Sequence, residues 1–255
     1  MRVGFQSARG APGTTTLALA TALELNSRGC EVLLVEADPA GGVLAADLGL
    51  PASPSAIEFS TDPRMRDADV FAGEAIHMLG DRLQLLTAPC SGRQSLAAWT
   101  VGAQRFVDLA ASLPGHVVID LGRGLPAAAP AVLEHLMDRS VHVVRPSLPE
   151  LAALIAGLRE HDSDPSLRLI AVVDQPGAAV GQREVREVLT PYGMVIEIPW
   201  EPVAASQIRT VQGRIRGRSH FGTAMRELVD GLLATLPALS VPVLDVEPTL
   251  TGIAT

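Results

Sequence analysis

The sequence predicts an α/β fold, a doubly wound and mostly parallel open sheet flanked by helices. Two observations support this prediction. Apolar runs typical of strands alternate with helix-like segments, as in successive βαβ units. Of the 255 residues 47% are hydrophobic and only 3% aromatic, and a mainly aliphatic core suits a parallel sheet buried on both faces. We expect one domain over residues 1–236 and a proline-broken tail over residues 237–255.

The first third of the chain contains two strand–helix units. Residues 2–6 form an apolar run that predicts a strand, and residues 14–28 predict a helix that ends at Gly29. A second continuous apolar run over residues 31–36 predicts a strand buried on both faces. Residues 43–80 are less regular, and we expect a short helix followed by a loop rich in proline and serine.

The same alternation continues through the rest of the domain. The further predicted strands are residues 83–87, 116–120, 140–144, 168–173 and 194–198. The further predicted helices are residues 96–113, 127–137, 149–160, 181–189 and about 220–236.

Composition excludes several classes of protein. The formal net charge of −8 argues against a general nucleic-acid-binding protein. Cys30 and Cys90 form no metal-binding or disulfide spacing, which indicates a reducing compartment. No apolar run approaches the roughly 18 residues of a membrane span, and the chain starts with a strand pattern rather than a signal peptide. We therefore expect a cytoplasmic protein without a membrane span.

A glycine-bearing loop over residues 7–16 joins the first predicted strand to the first predicted helix. Such a loop predicts a phosphate-binding site, because backbone N–H groups and the helix N-terminus attract an anion. The alternative is an ordinary tight turn at Gly10 and Gly13. Thr14 follows Gly13 where phosphate-binding loops carry lysine, and the sequence contains no lysine at all.

This loop resembles the deviant Walker A motif of the ParA/MinD family of P-loop ATPases. The matching residues, in order, are Arg9, Gly10, Ala11, Pro12, Gly13, Thr14, Thr15 and Thr16, with Arg9 at the signature lysine and Thr14 at the second lysine. Residues 32–39 resemble the family's second strand and switch I, residues 117–120 its Walker B strand, and residues 196–204 its late proline-containing segment. Within the family, residues 120–123 and the late segment over residues 196–204 look most similar to the CpaE/TadZ branch of pilus-assembly ATPases.

The resemblance implies ATP and Mg²⁺ as cofactors, with ATP bound by the loop residues 9–16. It places Thr15 and Asp120 at the metal, and Asp38 where a carboxylate helps to position the attacking water. Asp174 stands where the family has an adenine-reading asparagine, and a carboxylate accepts hydrogen bonds but donates none. Alternatively, Thr15 and Thr16 cap a helix, and the aspartates begin turns or cap loops.

The resemblance also implies a homodimer in which Arg9 reaches the phosphates of the partner subunit, and a protein partner in a positioning or assembly system. Alternatively, Arg9 faces solvent. Four further arginines cluster after the last strand and are open to a solvated role, a nucleic acid backbone, a nucleotide phosphate or an acidic partner: Arg209, Arg214, Arg216 and Arg218.

Three functions stay open on this basis. The first is a degenerate ParA/MinD-like positioning or assembly protein that binds adenine nucleotide weakly or not at all and hydrolyses little. The second is an active ATPase that uses Arg9 in place of the lysine. The third is an NAD(P)-dependent oxidoreductase, because Gly10 and Gly13 also fit a degenerate dinucleotide fingerprint, with Glu36 at the ribose position.

Overall fold

The structure is a computed structural model that describes residues 1–10, 12–123, 132–133, 135–160, 164–210 and 219–234. Its strands are β1 (Arg2–Ser7), β2 (Val32–Glu36), β3 (His77–Met78), β4 (Leu83–Leu86), β5 (His116–Arg123), β6 (Arg139–Val144), β7 (Arg168–Val173) and β8 (Met194–Ile198). Its helices are α1 (Thr14–Ser27), α2 (Leu44–Asp47), α3 (Ala56–Thr61), α4 (Ala68–Glu74), α5 (Gly92–Ala110), α6 (Leu148–Glu160), α7 (Gln182–Leu189), α8 (Pro202–Ile208) and α9 (His220–Ala234).

The eight strands form one sheet in the order β3-β4-β2-β5-β1-β6-β7-β8. All neighbouring pairs are parallel except β3 with β4. The predicted doubly wound and mostly parallel sheet is therefore confirmed. Strand β1 lies between β5 and β6, so the loop that follows β1 emerges near the middle of the sheet.

Helices cover both faces because consecutive residues of a strand point to opposite sides. Val118 packs on the face that is covered by α1 and α9, where Leu25 and Leu228 are buried. Its neighbour Ile119 packs on the other face, against α3 and α5. Four aromatic rings pack edge-on or tilted in this second layer, and they are Phe59, Phe71, Trp99 and Phe106.

Residues 43–80 contain more regular structure than the sequence predicts. The structure has the short helix α2 there, but also α3, a 3-10 turn over Pro63–Arg66, α4 and β3. A capping box starts α3: the Ser55 hydroxyl accepts a hydrogen bond from the Ile57 N–H, and the Glu58 carboxylate accepts from the Ser55 N–H at 2.9 Å. The signal is visible in the sequence as serine followed three residues later by glutamate.

Some helix bounds differ from the prediction, and some predicted segments lie outside the described residues. Helix α5 begins at Gly92, four residues before its predicted start, and α8 was not predicted. The predicted helix over residues 127–137 lies largely outside the described residues, within which Val132 and Leu133 are helical. The tail over residues 237–255 and the arginines at 214, 216 and 218 lie outside them entirely. Of the helices that the structure describes, none combines the length and the apolarity that a bilayer crossing needs.

Substitution of Ser55 by alanine is expected to lower the free energy of unfolding by about 1 kcal/mol, because α3 loses its N-terminal side-chain hydrogen bond. For a domain of this size that corresponds to a fall of roughly 2–4 °C in Tm. The matched control is Ser91→Ala, since Ser91 precedes α5 without a side-chain capping bond. Equal shifts for the two variants in thermal unfolding would contradict the assignment.

Candidate functional site

The loop between β1 and α1 places two glycines in backbone conformations that disfavour other residues. Gly10 has a φ of 72° and Gly13 a φ of 104°. Gly13 precedes α1 with no side-chain cap, and a Cβ added to it would meet no atom within 4 Å. The N-terminus of α1 therefore opens onto free space at Gly13. Ala11 lies outside the described residues.

The three threonines after Gly13 face different surroundings. The hydroxyl of Thr14 is buried, and no hydrogen bond joins it to any described residue. Thr15 approaches Asp120, and its hydroxyl favours the ionised form of that carboxyl group. Thr16 lines a groove beside the loop. The residue at the N-cap of α1 is Gly13, which has no side chain to form a capping hydrogen bond.

Asp120 lies in the middle of the sheet, in register with Phe5 of β1 and Glu36 of β2. Its side chain is completely buried. One carboxylate oxygen, Oδ1, accepts a hydrogen bond of 3.0 Å from the Gly122 N–H, while Oδ2 has no partner among the described residues. Burial raises the pKa of Asp120 to about 7, and the nearby charge of Glu36 adds to the rise. The structure thus brings Asp120 and Thr15 together beneath the loop.

Glu36 is buried at the end of β2 and is fully engaged by backbone N–H groups. Its Oε1 accepts from Val43 and Leu44 at 2.6 and 3.0 Å, and its Oε2 accepts from Ala88 at 3.0 Å. Burial raises the pKa of Glu36 despite these hydrogen bonds. A ribose hydroxyl has no access to this carboxylate, so the residue on which the dinucleotide-binding alternative depended serves the turn before α2 instead.

Asp38 stands beside the end of β5. Its Oδ1 accepts a 2.7 Å hydrogen bond from the Ala40 N–H, and its Cγ lies 2.0 Å from where a Cβ on Gly122 would be. Gly122 has a φ of 62°, so close approach and backbone conformation both require glycine there. Burial raises the pKa of Asp38, and its charge in turn raises that of Asp120. The carboxylates of Asp38, Glu36 and Asp120 therefore repel one another at the carboxyl ends of the central strands.

A groove of about 540 Å³ runs beside the loop. Loop residues form one wall and the segment after β8 forms the other, and the lining residues are Pro12, Gly13, Thr16, Leu17, Asp47, Val173, Ile198, Pro199, Trp200, Glu201, Pro202, Ala205, Ser206, Arg209 and Phe221. Arg209 pairs with Asp47 at the groove, so it lies at the end of α8 rather than in a solvated loop. Asp174 follows β7 but does not line the groove, and its carboxylate accepts from Gln182 at 2.7 Å.

Three arginines lie near the start of the loop, and one of them, Arg123, is in register with Ser7. Arg9 is exposed, and no hydrogen bond or ion pair joins it to another residue in the described part of the chain. Arg145 follows β6 and forms an ion pair of 2.6 Å with Glu150, and both side chains lie against Gly10. The sequence analysis missed Arg145 because it is 135 residues from the loop in the chain and only the β1–β6 pairing brings the two together.

The oxygen atoms at this edge fit a magnesium ion. Mg²⁺ binds oxygen ligands and is usually held by one or two carboxylates together with phosphates and water. Asp120 offers an unpartnered carboxylate oxygen, Thr15 offers a hydroxyl beside it, and the nearby carboxylates create a negative potential. Among the described residues, no three His, Cys, Asp or Glu side chains could hold a metal ion on their own. A magnesium ion here would take its remaining ligands from water or phosphate.

No family model matches the sequence, and no curated protein matches it. Solved structures do match over nearly the whole chain. A ParA family ATPase from Chlorobium tepidum is 21% identical with a TM-score of 0.74, covering 89% of this chain and 98% of its own. The chain has the fold of the ParA/MinD ATPases. Two further structures support the same conclusion. The cell division ATPase MinD of Pyrococcus furiosus is 18% identical with a TM-score of 0.66, covering 91% of this chain and 97% of its own. Apo McdA of Cyanothece is 19% identical with a TM-score of 0.63, covering 91% of this chain and 98% of its own.

The ParA/MinD resemblance that the sequence motifs indicated is thus confirmed at the level of the fold. The neighbours include a MinD described as complexed with Mg-ADP and an McdA variant described as an ATP complex. Those ligands belong to those proteins. For this chain, the ParA/MinD fold explains why the loop, Thr15, Asp38 and Asp120 meet at one edge, since ligand sites in such sheets lie at the carboxyl ends of the strands.

Proposed function

We propose that this protein is a ParA/MinD-like P-loop protein that positions or assembles a cellular machine, and that it binds adenine nucleotide weakly and hydrolyses it little. One observation carries the proposal: the buried and unpartnered Oδ2 of Asp120 lies with Thr15 beneath a glycine loop that borders an open groove. A buried carboxylate oxygen without a partner is costly, and a cation is a ligand that removes this cost.

Each residue at the loop takes a role in this proposal from its position in the site. Backbone N–H groups of the loop residues 9–16 and the N-terminus of α1 hold phosphate oxygens. Thr15 and Asp120 hold Mg²⁺, which when bound neutralises phosphate charge. Asp38, beside β5, orients a water molecule. The groove next to Gly13 and Thr16 receives the nucleoside, and Asp174, which does not line this groove and accepts from Gln182, gives no specific reading of adenine.

Thr14 is the reason for weak binding and slow hydrolysis. A lysine at this position would place a positive charge on the phosphates, whereas threonine offers one neutral hydrogen bond, roughly half as strong as a charge-assisted one. The stabilisation of charge that develops in a transition state is a large part of catalysis at such sites. Loss of that charge therefore affects turnover more than binding.

A second candidate function is an active ATPase that uses Arg9 in place of the lysine. The exposed guanidinium of Arg9, without a partner among the described residues, favours this alternative because it is free to reach a phosphate in its own subunit or across a dimer.

The proposal includes a homodimer through the face that bears Arg9 and a protein partner in the same system. Two structural neighbours support a protein partner and are described as a MinC:MinD cell division protein complex and a plasmid partition protein. The details of residues 120–123 and 196–204 favour a pilus or secretion machine as the cargo. The proposal places the protein in the cytoplasm, where Cys30 and Cys90 stay free thiols.

Calorimetric titration with Mg²⁺ and a non-hydrolysable ATP analogue, together with light scattering of the same mixtures, tests the proposal. We expect weak binding, a dimer population that grows with nucleotide, and ATPase turnover near background. A strict monomer with and without nucleotide would overturn the dimer. Robust turnover that disappears in Arg9→Ala would establish the active ATPase instead, and complete absence of binding at millimolar nucleotide would remove the nucleotide from the proposal.

A further inference from the structure

One basic side chain outside the loop motif contacts the loop directly. Arg145 follows β6, and its Nη2 lies 2.7 Å from the position that a Cβ on Gly10 would occupy. The Oε1 of Glu150 lies 3.3 Å from the same position. Because Gly10 has no side chain, the guanidinium packs on the loop backbone. Arg145 therefore lies directly against the loop at Gly10.

The guanidinium of Arg145 is held in a fixed orientation. Its Nε donates to the Glu150 Oε1 at 2.8 Å, its Nη2 pairs with the same oxygen at 2.6 Å, and its backbone N–H donates to Oε2 at 3.0 Å. The Glu150 side chain is only 10% exposed, while that of Arg145 is 31% exposed. No hydrogen bond joins Nη1 to any residue that the structure describes. The partly exposed guanidinium of Arg145 thus keeps N–H donors at Nη1 that no described residue uses.

The other cations near the loop are less suited to the same role. Arg9 is exposed and lacks a partner in the described ranges, so ordering it on a ligand costs side-chain entropy. Arg209 is paired with Asp47 at the far wall of the groove. The sequence has no lysine that could approach from elsewhere. Arg123, in register with Ser7, is exposed, and its charge acts on the carboxylate of Asp38. Arg145 combines contact with the loop, a fixed orientation and unused donors.

We propose that Arg145 is a phosphate-binding residue of this site, and that it supplies the positive charge beside the loop that the missing lysine at position 14 would supply. The ligand class is an oligophosphate chain such as that of a nucleoside triphosphate. A planar guanidinium with free N–H groups matches phosphate oxygens well. The ion pair with Glu150 offsets part of the charge, in agreement with weak binding. The inference rests on the proposed function, since it requires a phosphate at the loop.

The test uses Mg²⁺ with tripolyphosphate, which has the phosphate chain but no base, in calorimetric titrations of the full chain. Arg145→Gln is expected to weaken binding about tenfold or more, because hydrogen bonds to charged groups are worth that much. Glu150→Gln is expected to keep or tighten binding, because it frees Arg145 from its counter-ion. Arg82→Gln is the matched control, since Arg82 is exposed and donates to the Gly29 carbonyl at the opposite edge of the sheet.

The Arg145 and Glu150 variants distinguish a phosphate-binding role of Arg145 from a purely structural role of the ion pair. If the ion pair only supports the loop, Arg145→Gln and Glu150→Gln weaken binding equally, and the proposal is wrong. Unchanged binding in Arg145→Gln overturns it as well. Arg145→Lys covers the case in which the glutamine variant does not fold, and it is expected to retain part of the affinity through its charge; full loss in a folded lysine variant contradicts the proposal.

The proposed function fails in a different way. If the wild-type protein does not bind tripolyphosphate but Thr14→Lys does, the loop is a phosphate site and only the role of Arg145 is overturned. If neither protein binds it, the phosphate site itself is wrong, and the inference falls with it.

Discussion

Replacement of Thr14 by lysine is expected to raise the affinity for Mg²⁺ with an ATP analogue by about 10- to 100-fold. The residue at this position starts α1 directly after Gly13, and its side chain is buried beside the loop. A hydrogen bond to a charged group contributes about 1.5–3 kcal/mol, and each 1.4 kcal/mol is a factor of ten in affinity. Thr14 also has a buried hydroxyl without a partner, so its removal forfeits no hydrogen bond within the described protein. Calorimetric titration measures the change.

The control for this variant is Thr100→Lys, which adds the same charge on an exposed position of α5. The control should leave the affinity unchanged, so that a gain in Thr14→Lys reports on the loop rather than on the net charge. Unchanged affinity in Thr14→Lys would mean that the lysine has no phosphate to contact. A rise in turnover together with affinity would show that the remaining residues still form a competent hydrolytic site.

Replacement of Asp120 by asparagine is expected to stabilise the metal-free protein above pH 7. A pKa that burial raises from 3.8 to about 7 corresponds to a free-energy penalty of about 4 kcal/mol for the ionised carboxylate. Asparagine has nearly the same shape and no charge, so this penalty disappears, together with part of the repulsion from Glu36 and Asp38. The same variant should lose Mg²⁺-dependent nucleotide binding. Stability and binding therefore change in opposite directions.

The pH dependence has a definite sign. A carboxyl group with a raised pKa favours the folded state when it is protonated, so its contribution is complete below about pH 4 and is lost as the pH rises through about 7. The difference in Tm between Asp120→Asn and wild type should be small at pH 4–5, grow toward pH 7 and then level off. Thermal unfolding in a chelator measures it. A difference that is constant over this range contradicts the assignment, and Asp108→Asn, at an exposed position of α5, serves as the control.

The sequence was informative where local physics decides the structure. Continuous apolar runs located β2 and β7 to within one residue, because strands that are buried on both faces have no polar alternation. Thr15 and Asp120 could also be predicted to meet, since Thr15 follows the loop after β1 and Asp120 lies toward the carboxyl end of the neighbouring strand β5. Regular structure over residues 43–80 was underestimated, because short helices there depend on a capping box and on packing against α5 rather than on a long amphipathic pattern.

The remaining features depend on contacts between distant parts of the chain. Nothing local distinguishes Arg145 from the other arginines, because its contact with Gly10 exists only after β6 pairs with β1. The sequence left Glu36 open either to a ribose hydroxyl or to a loop-capping role, and only the fold shows that three backbone N–H groups from two separate segments donate to its carboxylate. Both cases show that the type of a residue suggests its chemistry, while the tertiary contacts select its partner.

The contacts of Glu36 also restrict how this protein can move. Its buried carboxylate ties the end of β2 to the start of α2 and to Ala88 after β4, so the segment that carries Asp38 is fastened at both sides. Opening this segment would strip a buried carboxylate of three hydrogen bonds, at a cost of several kcal/mol. A weakly bound ligand cannot supply that energy. This wall of the site is therefore a rigid template, and any signal that a ligand sends to a partner has to travel through a different part of the molecule.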